Sequence, residues 1–204
     1  MQLPNVSELC ITLLGCARAR IIPVLLHVAY EEHDLDCVLN LTGARALVLR
    51  ADVRGRDLLG LAPRMRDKTP TIAHVIAVGA SDPRDAVGSR DVVDFDMLVE
   101  AGLAADRSRL ELLRPSATDP FFVMFTSGTT GRPKAELHTH GSNQYWIKHF
   151  EQGQHFASDA HWIIVTPIAH LTGLGIGVLS ALSRGAAFTL LTAWNAQRCV
   201  ELLE

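Results

Sequence analysis

Short apolar runs recur along this chain at residues 21–26, 46–49, 74–78, 121–125, 162–165 and 186–191. Each is mostly apolar, and the runs at 121–125 and 162–165 are rich in β-branched or aromatic residues, as strands are. A strand with one wet face alternates apolar and polar residues; an unbroken run says that both faces are covered. Between the runs lie stretches of helical length and pattern. Strand, helix and strand in this order argue for crossover units and a largely parallel sheet. The expected fold is therefore α/β, with layered, largely parallel sheets and flanking helices.

The intervening helices are legible by face and by punctuation. Residues 7–20 place Leu9, Leu13, Cys16 and Ala17 on one face, with Asn5 or Ser7 as the expected cap. Residues 31–41 are acidic at the start, as the helix dipole prefers, and Gly43 is the expected stop. Residues 54–67 read as mixed and helical, and 95–101 as a short helix. Gly141, Ser142 and Asn143 offer a cap for a helix to about residue 155. Residues 171–182 form a small-residue helix whose glycines cost about 1 kcal/mol each against alanine, a loss that close packing would justify. A last helix starts at Ala196. Residues 79–94 read as a surface loop and 106–119 as an exposed connection.

Composition narrows the class. With 48% hydrophobic and 20% charged residues, the 204-residue chain is not disordered. A formal charge of −3 gives no reason to expect nucleic acid or an anionic membrane surface. Cys10, Cys16, Cys37 and Cys199 are scattered and form no CxxC pair, so reduced, buried thiols and a cytoplasmic protein are expected. Glu8 and the lack of a basic start argue against a signal peptide. Arg18, Arg20 and Pro23 break the apolar stretch 9–30, so no membrane span is expected.

The run at 121–125 leads into Thr126-Ser127-Gly128-Thr129-Thr130-Gly131-Arg132-Pro133-Lys134, and a second strand follows at 135–140. Composition alone leaves two readings of this loop. One is a solvated turn. The other is a polyphosphate cradle, in which Gly128 and Gly131 expose backbone N–H groups, the hydroxyls of Thr126, Ser127, Thr129 and Thr130 donate, and Lys134 adds a point charge. It is not the GxxxxGK[ST] loop of P-loop NTPases: two residues separate Gly128 from Gly131, and Ala135 follows Lys134.

The segment TSGTTGRPK resembles the signature loop of the adenylate-forming superfamily, which holds acyl- and aryl-CoA synthetases, luciferases and peptide-synthetase adenylation domains. Pro167-Ile168-Ala169-His170-Leu171-Thr172-Gly173 resembles that family's P-x-x-H-x-x-G segment beside the acid pocket. Gln2-Leu3-Pro4-Asn5 is similar to the end of its early strand. The resemblance implies that Thr126, Ser127, Gly128, Thr129, Thr130, Gly131 and Lys134 bind the β- and γ-phosphates of ATP, with Thr130 also touching Mg²⁺. It implies that His170 and Gly173 line the substrate pocket and that His170 stands near the reacting acid; a satisfied buried histidine is the other reading of His170. Gly173 and Gly175 admit either substrate approach or plain helix packing. The implied reaction is activation of a small carboxylic acid by ATP as its acyl-adenylate, followed by transfer to coenzyme A or a carrier-protein thiol.

Ala135 and Glu136 stand where the family often has glycine and a hydrophobic residue, a variation similar to the aryl and alicyclic acid ligases. The Y-G-x-T-E segment, the ribose-binding aspartate motif, the hinge and the lysine of the mobile C-terminal domain are not found. The expectation is an incomplete N-terminal domain without a C-terminal domain, inactive alone. It would comprise a first α/β unit at 1–80, a loop and connection at 81–120, and the phosphate loop with a second α/β unit at 121–204. Three alternatives stand beside it: a non-catalytic interaction or homodimerisation module, a stand-alone acyl- or aryl-AMP ligase feeding a carrier protein, and a nucleotide-binding domain that makes ADP. His138, His140 and His149 also suggest a zinc cluster, although no second ligand pair has metal spacing.

Overall fold

The structure, a computed structural model, describes residues 1–80, 92–126, 133–154 and 159–203. These fall into two compact units that interleave along the chain. The first comprises Met1–Leu3, Val28–Arg109 and Thr126–Lys134; the second comprises Pro4–His27, Leu110–Phe125 and Ala135–Glu204.

The first unit is built on a parallel sheet. Strand β2 (Ala46–Arg50) pairs with β5 (His74–Val78), which pairs with β6 (Val92–Asp94), in register Leu47↔Val75 and Ile76↔Val93. Gln2 adds a parallel bridge to Leu49. Helix α2 (Glu32–Thr42) ends at Gly43, whose φ of 59° is the left-handed stop expected there. Leu35, Leu39, Leu47, Leu49, Leu58, Met65 and Val75 form its buried core. Helix α3 (Ala62–Lys68) packs on α2, and Arg64 and Lys68 both reach the Glu32 carboxylate.

Two expectations fail in this unit. Residues 54–67 are not one helix. Strands β3 (Asp52–Val53) and β4 (Arg56–Asp57) form an antiparallel hairpin, followed by a 3₁₀ turn and then α3. Arg54 (φ 55°) and Gly55 (φ 76°) are both left-handed, which a two-residue turn matched to strand twist requires. The Asp52 carboxylate accepts the Gly55 N–H and fixes that turn. Residues 79–94 are not all loop either: β6 emerges from them, and the Asp94 side chain caps α4 (Phe95–Ala104) by accepting from the N–H groups of Asp96 and Met97. Residues 81–91 lie outside the described residues.

In the second unit, β1 (Val24–Leu25), β7 (Pro120–Thr126) and β8 (Lys134–Thr139) form one sheet in that order, with β1 parallel to β7. Strands β9 (Trp162–Ile164) and β10 (Phe188–Leu190) form a parallel pair. The strand expected at 21–26 shrinks to two residues because the chain turns through a left-handed residue just after α1 (Ser7–Arg18). Arg20 has φ 57°, and the Ile21 N–H is taken by the Cys16 carbonyl at 2.8 Å. Ile21 and Ile22 stay exposed as a result. The connection at 106–119 contains the short helix α5 (Ser108–Leu112), tied to α1 by Arg18, which donates to the Leu110 carbonyl and pairs with Glu111.

The caps expected for two helices also move. Val6 precedes α1 without a side-chain cap. Thr139, not the Gly141–Ser142–Asn143 run, caps α6 (His140–Gln152), exchanging hydrogen bonds with Ser142. The helix expected at 171–182 is a wide-turned π segment, Thr172–Leu179, continued by α7 (Ser180–Arg184); α8 (Ala196–Leu203) is the last helix described. All four cysteines are free, with Cys10 buried and its thiol pushed up to about 11 by that burial; the other three are partly exposed.

Candidate nucleotide and acid site

Strand β7 brings the loop into place. Phe121, Phe122 and Met124 are buried, and the strand ends in the exposed Thr126. Residues 127–132 lie outside the described residues, and with them Ser127, Gly128, Thr129, Thr130 and Gly131. Lys134 is the first residue of β8, exposed, beside the half-buried Pro133. Thr126 and Lys134 thus close off the two ends of the loop on strands that are neighbours in the sheet. A rigid apolar strand on one side of a hydroxyl- and glycine-rich loop, with a lysine on the other, is an arrangement that can bring N–H and O–H donors and one cation to an anion.

Beyond Lys134 the histidines pack against aromatic rings. His138 stacks on Phe122, with ring centroids 4.6 Å apart, and His140 stacks on Phe121 at 4.5 Å. His149 sits on Tyr145, its Nδ1 at 2.8 Å from the Tyr145 carbonyl. Among the described residues no group of three or more His, Cys, Asp or Glu is placed to hold a metal ion. Burial pushes the His140 imidazole below its usual range, and the charge of Asp119 acts in the opposite sense. Asp119 is itself held low, first by the Ser116 N–H at 2.7 Å and then by Arg20 at 2.8 Å.

The start of α6 is not an open anion site. The N–H groups of His140 and Gly141 go to the carbonyls of Asp119 and Ala117, and that of Ser142 goes to the Thr139 hydroxyl. A Cβ on Gly141 would stand 2.8 Å from the Ala117 oxygen, so glycine is required for this close approach.

Residues 167–173 carry the second motif. His170 is exposed, not the buried histidine of the alternative reading; its N–H donates to the Pro167 carbonyl at 3.0 Å and its Nδ1 accepts from the Thr172 N–H at 3.2 Å. Gly173 is buried at the head of the π segment, where a Cβ would come 2.2 Å from the Pro167 oxygen. Gly175 faces the Trp146 ring and Gly177 faces Ile164 in the same way, at 2.8 and 3.1 Å. The glycines that lower helix propensity here are therefore used for packing. π segments occur often at functional sites. The structure brings His170 and Gly173 together on the Pro167 carbonyl, and it places Thr126 and Lys134 on neighbouring strands. Sequence reasoning missed Asn5 here: its carboxamide reaches residues 166–168, a contact across the chain that no local pattern encodes.

Comparison with known proteins bears on the chain as a whole. A family model described as AMP-binding enzyme matches residues 1–204. The 2-hydroxy-7-methoxy-5-methyl-1-naphthoate–CoA ligase of Streptomyces carzinostaticus is 30% identical over 189 residues, covering 91% of this chain and 33% of that protein. An acetyl-coenzyme A synthetase of Syntrophobacter fumaroxidans is 26% identical, covering 91% of this chain and 29% of its own length. Among solved structures, Mycobacterium smegmatis MbtA superposes with a TM-score of 0.81 at 22% identity, over 99% of this chain and 35% of that one, a likeness of fold. The chain thus spans about a third of the length of the curated relatives it matches. With the family model matching along its whole length, this chain belongs to the AMP-binding enzyme family.

Proposed function

We propose that this chain carries the phosphate-gripping part of an ATP-dependent, AMP-forming ligase that joins a carboxylic acid to a thiol. The observation that carries this reading is the run Thr126–Lys134, set between neighbouring strands in a chain matched from end to end by the AMP-binding family. In such a reaction a carboxylate attacks the α-phosphorus of ATP and pyrophosphate leaves. Both partners are anionic, so the protein must offset charge and hold the reacting atoms in line. Thr126, Ser127, Thr129 and Thr130 supply hydroxyls, Gly128 and Gly131 supply approachable N–H groups, and Lys134 supplies the cation. His170 and Gly173 belong to the acid side, with the His170 ring presented at the surface.

Mg²⁺ accompanying ATP would offset part of the triphosphate charge, with the Thr130 hydroxyl as this chain's contribution. The hydroxyls and N–H groups of this chain act as hydrogen-bond donors and Lys134 as a cation beside it. The acceptor is coenzyme A, named for the naphthoate and acetate relatives; a carrier-protein thiol is the competing acceptor. Those relatives differ widely in acid, an aromatic ring system against acetate, so the pocket must be read by experiment.

Calorimetric titration of the 204-residue chain with Mg·ATP tests the reading. Binding at one site is expected without pyrophosphate release; in the complete protein the nucleotide product is expected as AMP. Recovery of ADP would assign the loop to a phosphohydrolase instead. A self-associating module is the second reading, favoured by exposed Leu103, Leu112, Trp194 and Leu203.

A further inference from the structure

We infer that Asn5 is a positioning residue for the segment that carries His170. The inference rests on the reading of His170 as a group on the acid side. Asn5 is only 6% exposed and lies just ahead of α1, yet its side chain does not cap that helix. Its Nδ2 donates to the Thr166 carbonyl at 2.9 Å, and its Oδ1 accepts the Ile168 N–H at 2.8 Å. Its own carbonyl accepts from the Thr192 hydroxyl at 3.3 Å, beyond β10. One carboxamide therefore bridges the backbone groups on either side of Pro167, as a neighbouring strand's peptide group would.

This grip sets the course of the chain from Pro167 into the π segment. Pro167 has no N–H to offer, so the bend depends on the groups flanking it. Its carbonyl receives the His170 N–H and sits against Gly173. The His170 carbonyl then accepts the Leu174 N–H and starts the π segment. Ile168 is fully buried, so its N–H cannot turn to water if Asn5 is lost. Asn suits the position because it has a donor and an acceptor in one plane, at a length that spans the two groups. Asp has the acceptor alone while ionised, and presents a second oxygen to the Thr166 carbonyl. Protonated, it regains a donor and becomes a near copy of the amide.

The test is Asn5→Asp, with Asn5→Ala beside it, in the isotope-labelled 204-residue chain. In Asn5→Ala the Ile168 amide is expected to exchange with solvent about tenfold faster. In Asn5→Asp at pH 8, the His170 ring and Thr172 amide resonances are expected to move from their wild-type positions. They should return toward wild type, compared at equal pH, as the carboxyl is protonated. Amides of the β2–β5–β6 sheet are expected to stay in place throughout, which a general loss of stability would not allow. If Asn5→Ala does not fold, the pH-dependent return in Asn5→Asp decides alone. His170 and Thr172 resonances that match wild type at every pH would overturn the inference. A pH-dependent response in a chain that binds no Mg·ATP would support the role of Asn5 while removing the nucleotide reading.

Discussion

Lys134 stands at the first position of β8 with its side chain exposed, where the loop of hydroxyls and glycines ends. A charge-assisted contact from such a lysine to a phosphate contributes about 1.5–3 kcal/mol. Lys134→Ala is therefore expected to weaken Mg·ATP binding by about tenfold or more, with the unfolding midpoint in urea unchanged. Calorimetry and circular dichroism check the two halves of that statement. His140 makes the second prediction at this scale. Burial against Phe121 favours its neutral form, so its folded pKa lies below the unfolded 6.5. Its contribution to stability is complete above about pH 6.5 and is lost as pH falls through the lowered folded value. His140→Phe keeps a ring on Phe121 and removes the titration. Urea midpoints measured from pH 7.5 to 5 should fall less steeply in that variant than in the parent chain.

At the scale of the element, the π segment ranks its own glycines. A Cβ at Gly173 meets a backbone carbonyl that cannot yield, at 2.2 Å. At Gly175 it meets the edge of the Trp146 ring at 2.8 Å, and at Gly177 the Ile164 side chain at 3.1 Å. Overpacking costs about 1–3 kcal/mol, while Gly→Ala in a helix regains about 1 kcal/mol. Gly173→Ala is expected at or above the top of that range, Gly175→Ala within it, and Gly177→Ala near zero, by urea denaturation. Trp146→Ala should rescue Gly175→Ala in a double-mutant cycle and should not rescue Gly173→Ala. The same elements separate what local sequence encodes from what it does not. The runs at 46–49 and 74–78 are legible as strands because their central residues, Leu47, Val48, Leu49, Val75 and Ala77, are apolar and buried. Gly43 is a helix stop because left-handed backbone favours glycine. Arg20 and Arg54 take that backbone too, without the residue type that announces it, so neither a full strand at 21–26 nor a single helix at 54–67 forms. The glycines of Thr172–Leu179 pack against Pro167, Trp146 and Ile164, partners that local periodicity does not reveal. Of the site, the motif residues are legible in the sequence, and the hold of Asn5 on residues 166–168 is not, because its partners lie more than 160 positions away.

For the whole molecule, two compact units interleave along the chain. Among the described residues no helix is long and apolar enough to cross a membrane. Exposed side chains such as Leu112, at 84%, and Leu203, at 77%, lie on surfaces with little apolar cover. Sedimentation of the 204-residue chain is expected to show concentration-dependent association; a sharp monomer at all concentrations would remove the self-association reading. The proposed function turns on whether the Thr126–Lys134 run grips the triphosphate of ATP. The most direct measurement follows the backbone amides of the isotope-labelled chain during titration with Mg·ATP. Saturable shifts centred on residues 126–134, weakened about tenfold by Lys134→Ala, are expected. Saturable shifts centred elsewhere, or none at millimolar nucleotide, would contradict it.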